Sequence, residues 1–164
     1  MKVKALLAAA LITLTPTWAT AHEFVTEAVH IDHPWSRPTP PGTPMGVGYL
    51  VIRNTSDADI TLIGAHTPRA ASVSIHESMM HDGMMKMQPL KNGLTIPAGE
   101  TVELKPHGYH LMLEKLNGPL QEGESVPLTL EFDGAAALDV QLMVEPLDGG
   151  SMKGEMDHSG HHTE

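Results

Sequence analysis

Not one of the 164 residues is cysteine, which excludes disulfide staples, thiolate metal sites and a lipid anchor carried on a cysteine at the cleavage point. Positive charge is scarce as well: ten Lys and Arg face 20 Asp and Glu. A nucleic-acid partner is therefore not expected, because phosphate contacts need Lys and Arg. Aromatic residues make up only 4% of the chain, so it has no tyrosine-rich face of the kind that supports redox turnover. The longest apolar run, Ala5 to Leu14, falls short of the roughly 20 residues that span a bilayer. The chain is thus expected to be soluble, without stable membrane insertion.

That run has a different use. Lys2 and Lys4 precede it and Ala19-Thr20-Ala21 follows it, the pattern of a cleaved signal peptide over residues 1–21. Export to the periplasm is the expected fate, with His22 as the mature amino terminus. The 143 residues after Ala21 suffice for one domain whose core needs no covalent staple. Losing the two leader lysines leaves eight basic residues against 20 acidic ones, a formal charge of −12, which suits a cationic cargo.

Short segments separated by turn residues predict strands near 29–35, 47–54, 59–66, 71–77, 84–90, 101–104, 109–114, 126–132 and 138–145. The fold class is all-β, a Greek-key sandwich or barrel over residues 22–146. Pro34, Pro38, Pro40, Pro41 and Pro44 predict an extended surface segment at 34–44 rather than a central strand. After Pro146, four glycines alternate with polar residues, Met152, Met156, His158, His161 and His162. With no apolar face to bury, residues 147–164 are expected to form a flexible tail.

The chain has 11 Met and 11 His, and their placement is uneven. Residues 76–87 read HESMMHDGMMKM, with His76, Met79, Met80, His81, Met84, Met85 and Met87 around an Asp82-Gly83 turn. Methionine commonly fills cores, but a hairpin tip is a poor place for a core. Further on, strand alternation in Tyr109-His110-Leu111-Met112-Leu113 sends Tyr109, Leu111 and Leu113 to one face and His110 and Met112 to the other. An imidazole and a thioether then point the same way. Met85 and Met87 bear the same i, i+2 relation, so either sulfur or both can be supplied from one strand. His76 is expected on the non-core face or at the rim of its strand, and His107 in a loop.

Thioethers combined with imidazoles form a soft, neutral donor set. It suits Cu(I), whereas Zn(II) prefers Cys, His and carboxylate, and Ca(II) or Mg(II) require oxygen. The tail donors His158, His161 and His162, with Asp157 and Glu164 nearby, are harder and better matched to Cu(II). An amino-terminal His22 is a further Cu(II) chelator.

His76, ten residues, Met87, and then His110-x-Met112 resemble the Cu(I) motif of the periplasmic copper chaperones called PCuAC. His33-Pro34-Trp35 with Thr39-Pro40-Pro41-Gly42, Gly48-Tyr49-Leu50, Gly83-x-Met85-Lys86-Met87, Ile96-Pro97-Ala98-Gly99 and Gly108-Tyr109-His110-Leu111-Met112-Leu113 extend the likeness through about residue 145. Met87 and His110 enclose 22 residues, one more than the family spacing, and Ser78 stands where the family has a Met. The resemblance implies a cupredoxin-like β-sandwich with Cu(I) held by His76, Met87, His110 and Met112 near the surface. It also implies a role in delivering copper to the dinuclear copper site of a cytochrome c oxidase subunit, alongside Sco-like proteins; the chain itself is expected to be a monomer and not an enzyme. The His/Met tail resembles extensions that add a Cu(II) site in some members. The competing readings are a copper-resistance buffer or storage protein, and a copper oxidase built on His22.

Overall fold

The computed structural model describes residues 23–147, all strands, turns and loops. The strands are β1 (Glu23–Val25), β2 (Val29–Ser36), β3 (Met45–Asn54), β4 (Ile60–His66), β5 (Ala70–His81), β6 (Met84–Pro89), β7 (Leu94–Ile96), β8 (Thr101–Leu104), β9 (Tyr109–Leu116), β10 (Ser125–Asp133) and β11 (Leu138–Val144). Among the described residues there is no helix, so none that could cross a membrane. The all-β expectation holds. The leader at 1–21 and the tail at 147–164, apart from Leu147, lie outside the described residues.

Eight strands run β5-β9-β8-β3-β2-β11-β10-β4, and the Ala65–Val73 pairing of β4 with β5 closes them into a barrel. β1, β6 and β7 attach to β2, β5 and β4 respectively. The closure follows from alternation: in β10, Val126, Leu128, Leu130 and Phe132 are buried while the residues between them are exposed or partly exposed. The same rule sends Ile31, Leu50, Ile52, Leu62, Leu111, Leu113 and Leu142 into the common core. The complementary residues of each strand form the barrel's outer surface.

Two expectations are corrected. Pro34 lies inside β2, which is flanked by β3 and β11, rather than in a surface segment. The pairing register shifts between Asp32 and Trp35, and His33 takes φ 46°. This bulge frees Pro34 from a ladder position that would need an N–H. In addition, β5 does not end near Glu77 but continues to His81. On the edge away from β9, its partner changes from β4 at Val73 to β6 from His76 onward. The β5–β6 hairpin turns on Asp82 and Gly83, with φ 50° and 77°, values that suit a two-residue type I′ turn.

Candidate metal centre

Pairing of β5 with β9 sets His76 directly opposite His110, and Ser74 opposite Met112. Pairing of β5 with β6 sets Ser78 opposite Met87 and Met80 opposite Met85. Directly paired residues share a sheet face and so do i, i+2 neighbours. His76, His110, Met112, Met87 and Met85 therefore all belong to the outer face, while Ile75, Leu111 and Leu113 fill the core behind them.

The two imidazoles adjoin, with ring centroids 5.7 Å apart and planes at 50°. Their protonation follows from their partners. Ser74 Oγ donates its single proton to Glu114 Oε1 at 2.9 Å, so it accepts from His76 Nε2 at 3.0 Å. The His76 lone pair then sits on Nδ1. His110 Nδ1 lies 3.1 Å from the Gly108 carbonyl oxygen, which can only accept, so the His110 lone pair sits on Nε2. His76 Nδ1 and His110 Nε2 are both buried without a hydrogen-bond partner. An unmet buried polar atom costs about 1–3 kcal/mol, and the two adjoining rings each leave one lone pair open to an electrophile.

Thioethers flank this pair on opposite sides. Met112 follows His110 by two residues and is 9% exposed; Met87, opposite Ser78 and so two rungs diagonally from His76, is 52% exposed. Met85 stands a further two residues along β6, opposite Met80, so the register sets Met87 nearer the histidines. Of the two methionines able to compensate for the sulfur absent at Ser78, Met79 pairs with Lys86 on the other face, whereas Met80, opposite Met85, shares the face of His76. His110, at 4% exposure, is more deeply covered than a surface strand face predicts. His107, φ 66°, lies in the turn before β9, as expected of a loop residue. His22, His158, His161 and His162 lie outside the described residues.

The supporting groups Ser72, Ser74 and Glu114 are not among the predicted site residues. Glu114 accepts hydrogen bonds from both serines, at 2.9 Å each. These bonds, Ser72's first, lower its pKa, so it stays an acceptor that fixes Ser74 and, through Ser74, the His76 ring. Such orientation of a ligand by its outer partners is usual at metal sites. The signal was the i, i+2 run Ser72, Ser74, His76 facing His110, Met112, Glu114, visible only once β5 and β9 are known to pair.

Desolvation lowers the His76 pKa below 6.5, the nearby His110 adds to the effect, and Glu114 opposes it. The neutral, ligating form is thus favoured. The unfolded chain binds the extra proton more readily, so apo-protein stability falls as pH drops below about 6.5 and the loss is complete below the folded value. His76→Asn is expected to flatten that dependence, measured by urea denaturation on either side of this window. An unchanged slope would remove His76 as its source.

The profile of the LpqE-like family, a candidate-lipoprotein family, matches residues 29–144. A Leifsonia xyli subsp. xyli relative, Lxx21020, designated a candidate lipoprotein, is 30% identical over 76% of this chain and 74% of its own length. Among solved structures, Cu(I)-bound DR1885 from Deinococcus radiodurans is 32% identical with a TM-score of 0.56, covering 79% of this chain and 83% of that one. The copper-bound PCuAC domain of PmoF2 shares the fold at 24% identity and a TM-score of 0.64, covering 76% and 98% respectively.

Proposed function

The chain belongs to the LpqE-like family, and on that footing we propose that it is an exported copper chaperone that holds Cu(I) through His76, Met87, His110 and Met112. The observation that carries this reading is the pair of buried, unpartnered nitrogens, His76 Nδ1 and His110 Nε2, on adjoining imidazole rings of the directly paired strands β5 and β9. Cu(I) satisfies both and accepts thioethers as further neutral donors. The Cu(I) named for the Deinococcus protein supports the choice of ion. The lipoprotein designations support export, and a signal peptide at residues 1–21 directs it to the periplasm.

Unequal exposure of the two methionines gives the chaperone a direction of transfer. Met112 is enclosed and Met87 open, so an incoming ligand from an acceptor displaces Met87 first while the histidines still hold the ion. No proton is needed to release a thioether, and exchange proceeds by substitution. The acceptor is a copper-binding domain such as the dinuclear site of a cytochrome c oxidase subunit, with a Sco-like protein as co-worker. This is binding and transfer, not catalysis. Anaerobic mixing of the Cu(I)-loaded protein with an apo oxidase copper domain tests delivery: copper should appear on the acceptor, and Met87→Leu should speed its transfer. Retention of the ion would mark a storage protein instead.

The tail residues His158, His161 and His162 are proposed to capture Cu(II) separately. Replacing all three with alanine should remove the Cu(II) taken up by the tail, followed by electron paramagnetic resonance, and leave Cu(I) affinity unchanged. Loss of both would overturn the division.

A further inference from the structure

A second donor set lies on the same outer surface but at the far end of β3. Glu23 of β1 pairs with Asp32 of β2, and His30 precedes Asp32 by two residues, so all three side chains share one face. Ligand atoms of Glu23, His30 and Asp32 lie within 4.8 Å of one another. His30 and Asp32 belong to the rungs of Arg53 and Val51, whereas Met112 faces Val47. Along β3 from Val47, the rung of Asp32 at Val51 is four residues away, about 13 Å, and that of His30 at Arg53 is six, about 20 Å, at roughly 3.3 Å per residue. The two sites cannot share an ion.

The spacing discriminates between an ion-pair cluster and a metal cage. His30 Nε2 stands 3.2 Å from Asp32 Oδ1 and 3.4 Å from Glu23 Oε2, yet it is buried and makes no hydrogen bond of acceptable geometry to either. A charge-assisted N–H···O bond closes to about 2.7–2.9 Å. By contrast, donors about 2.0–2.1 Å from a tetrahedral ion stand about 3.3 Å from each other, which matches both distances. Arg53 Nη2 lies 3.8 Å from Asp32 Oδ2, the oxygen not turned toward His30. It therefore orients the carboxylate from behind and leaves Oδ1 to a ligand.

We propose that Glu23, His30 and Asp32 form a site for a divalent cation of the Zn(II) and Cu(II) class. One imidazole with two carboxylates is too hard for Cu(I) and too nitrogen-rich to favour Ca(II) or Mg(II). The two negative charges balance the ion, and three protein donors leave a fourth position for water or an exogenous ligand. The soft centre at His76 and His110 and this harder centre then divide the metals at the barrel surface by oxidation state and class. The inference does not depend on the Cu(I) reading.

Zn(II) alone, which has no redox chemistry, is the probe. Titration of the full chain, followed residue by residue by NMR, should shift Glu23, His30 and Asp32 to saturation. His30→Ala should weaken that response by about 100-fold or more, since losing even an outer partner costs about 10–100-fold. Glu23→Gln and Asp32→Asn keep the shape of the strand pair and should each weaken it too, which holds the test open if His30→Ala unfolds. The response should survive His76→Asn, separating this site from the soft one. Resonances of Glu23, His30 and Asp32 that stay fixed while other histidines shift would overturn the proposal. So would Glu23→Gln and Asp32→Asn binding as tightly as the parent.

Discussion

His110→Ala is expected to reduce Cu(I) affinity by about 100-fold or more, about 2.7 kcal/mol, the upper end of what losing a mere outer-shell partner costs. His110 is the most enclosed of the proposed donors at 4% exposure, and its Nε2 has no other partner to turn to. An anaerobic competition titration with a Cu(I) chromophoric chelator reads the change directly. Truncating Met112 to alanine confuses two effects, because it also opens a cavity at a 9% exposed position. Met112→Leu keeps the volume and costs less than about 1.5 kcal/mol of stability, while removing only the sulfur. A Met112→Leu protein that still holds Cu(I) as tightly as the parent would reduce Met112 to packing. One with intact folding and lost affinity makes it a ligand.

The donor types were readable from the sequence because strand alternation alone pairs His110 with Met112 and separates them from Leu111. Choosing between Met85 and Met87 requires the β5–β6 register, and that information was present in the Asp82-Gly83 turn. A two-residue turn pairs His81 with Met84 and, counting back, Ser78 with Met87. The full length of β5 was hidden for a physical reason. Beyond His76 it protrudes from the barrel with Met79, Met80 and His81 exposed, so no core-facing residue marks its continuation. β1 and β7, at three residues each, are too short to show a period. The Glu114–Ser74–His76 chain and the Glu23, His30, Asp32 group both cross between strands, and no one-dimensional pattern reports which strands adjoin.

Core and site meet back to back on β9, and that arrangement separates stability from function. Leu111, 0% exposed and packed into the core between His110 and Met112 in sequence, should cost about 2.7–5 kcal/mol when cut to alanine. That is a large share of the roughly 5–15 kcal/mol available to a domain, and thermal unfolding of the apo protein should show it as a much lower Tm. The ladders to β5 and β3 hold the β9 backbone from both sides at this point, with Leu111 paired to Ile75 and Gly48, so the outward donors keep their positions. Binding to the folded state alone adds RT ln(1 + [L]/Kd), about 2.7 kcal/mol at 100 times Kd. Saturating Cu(I) should therefore raise the stability of Leu111→Ala and of the parent by the same amount, whereas Met112→Leu should start near the parent and gain less. If Leu111→Ala lost the Cu(I) increment as well, the core behind β9 would be setting the ligand geometry, and the soft site could not be treated as a property of the outer face.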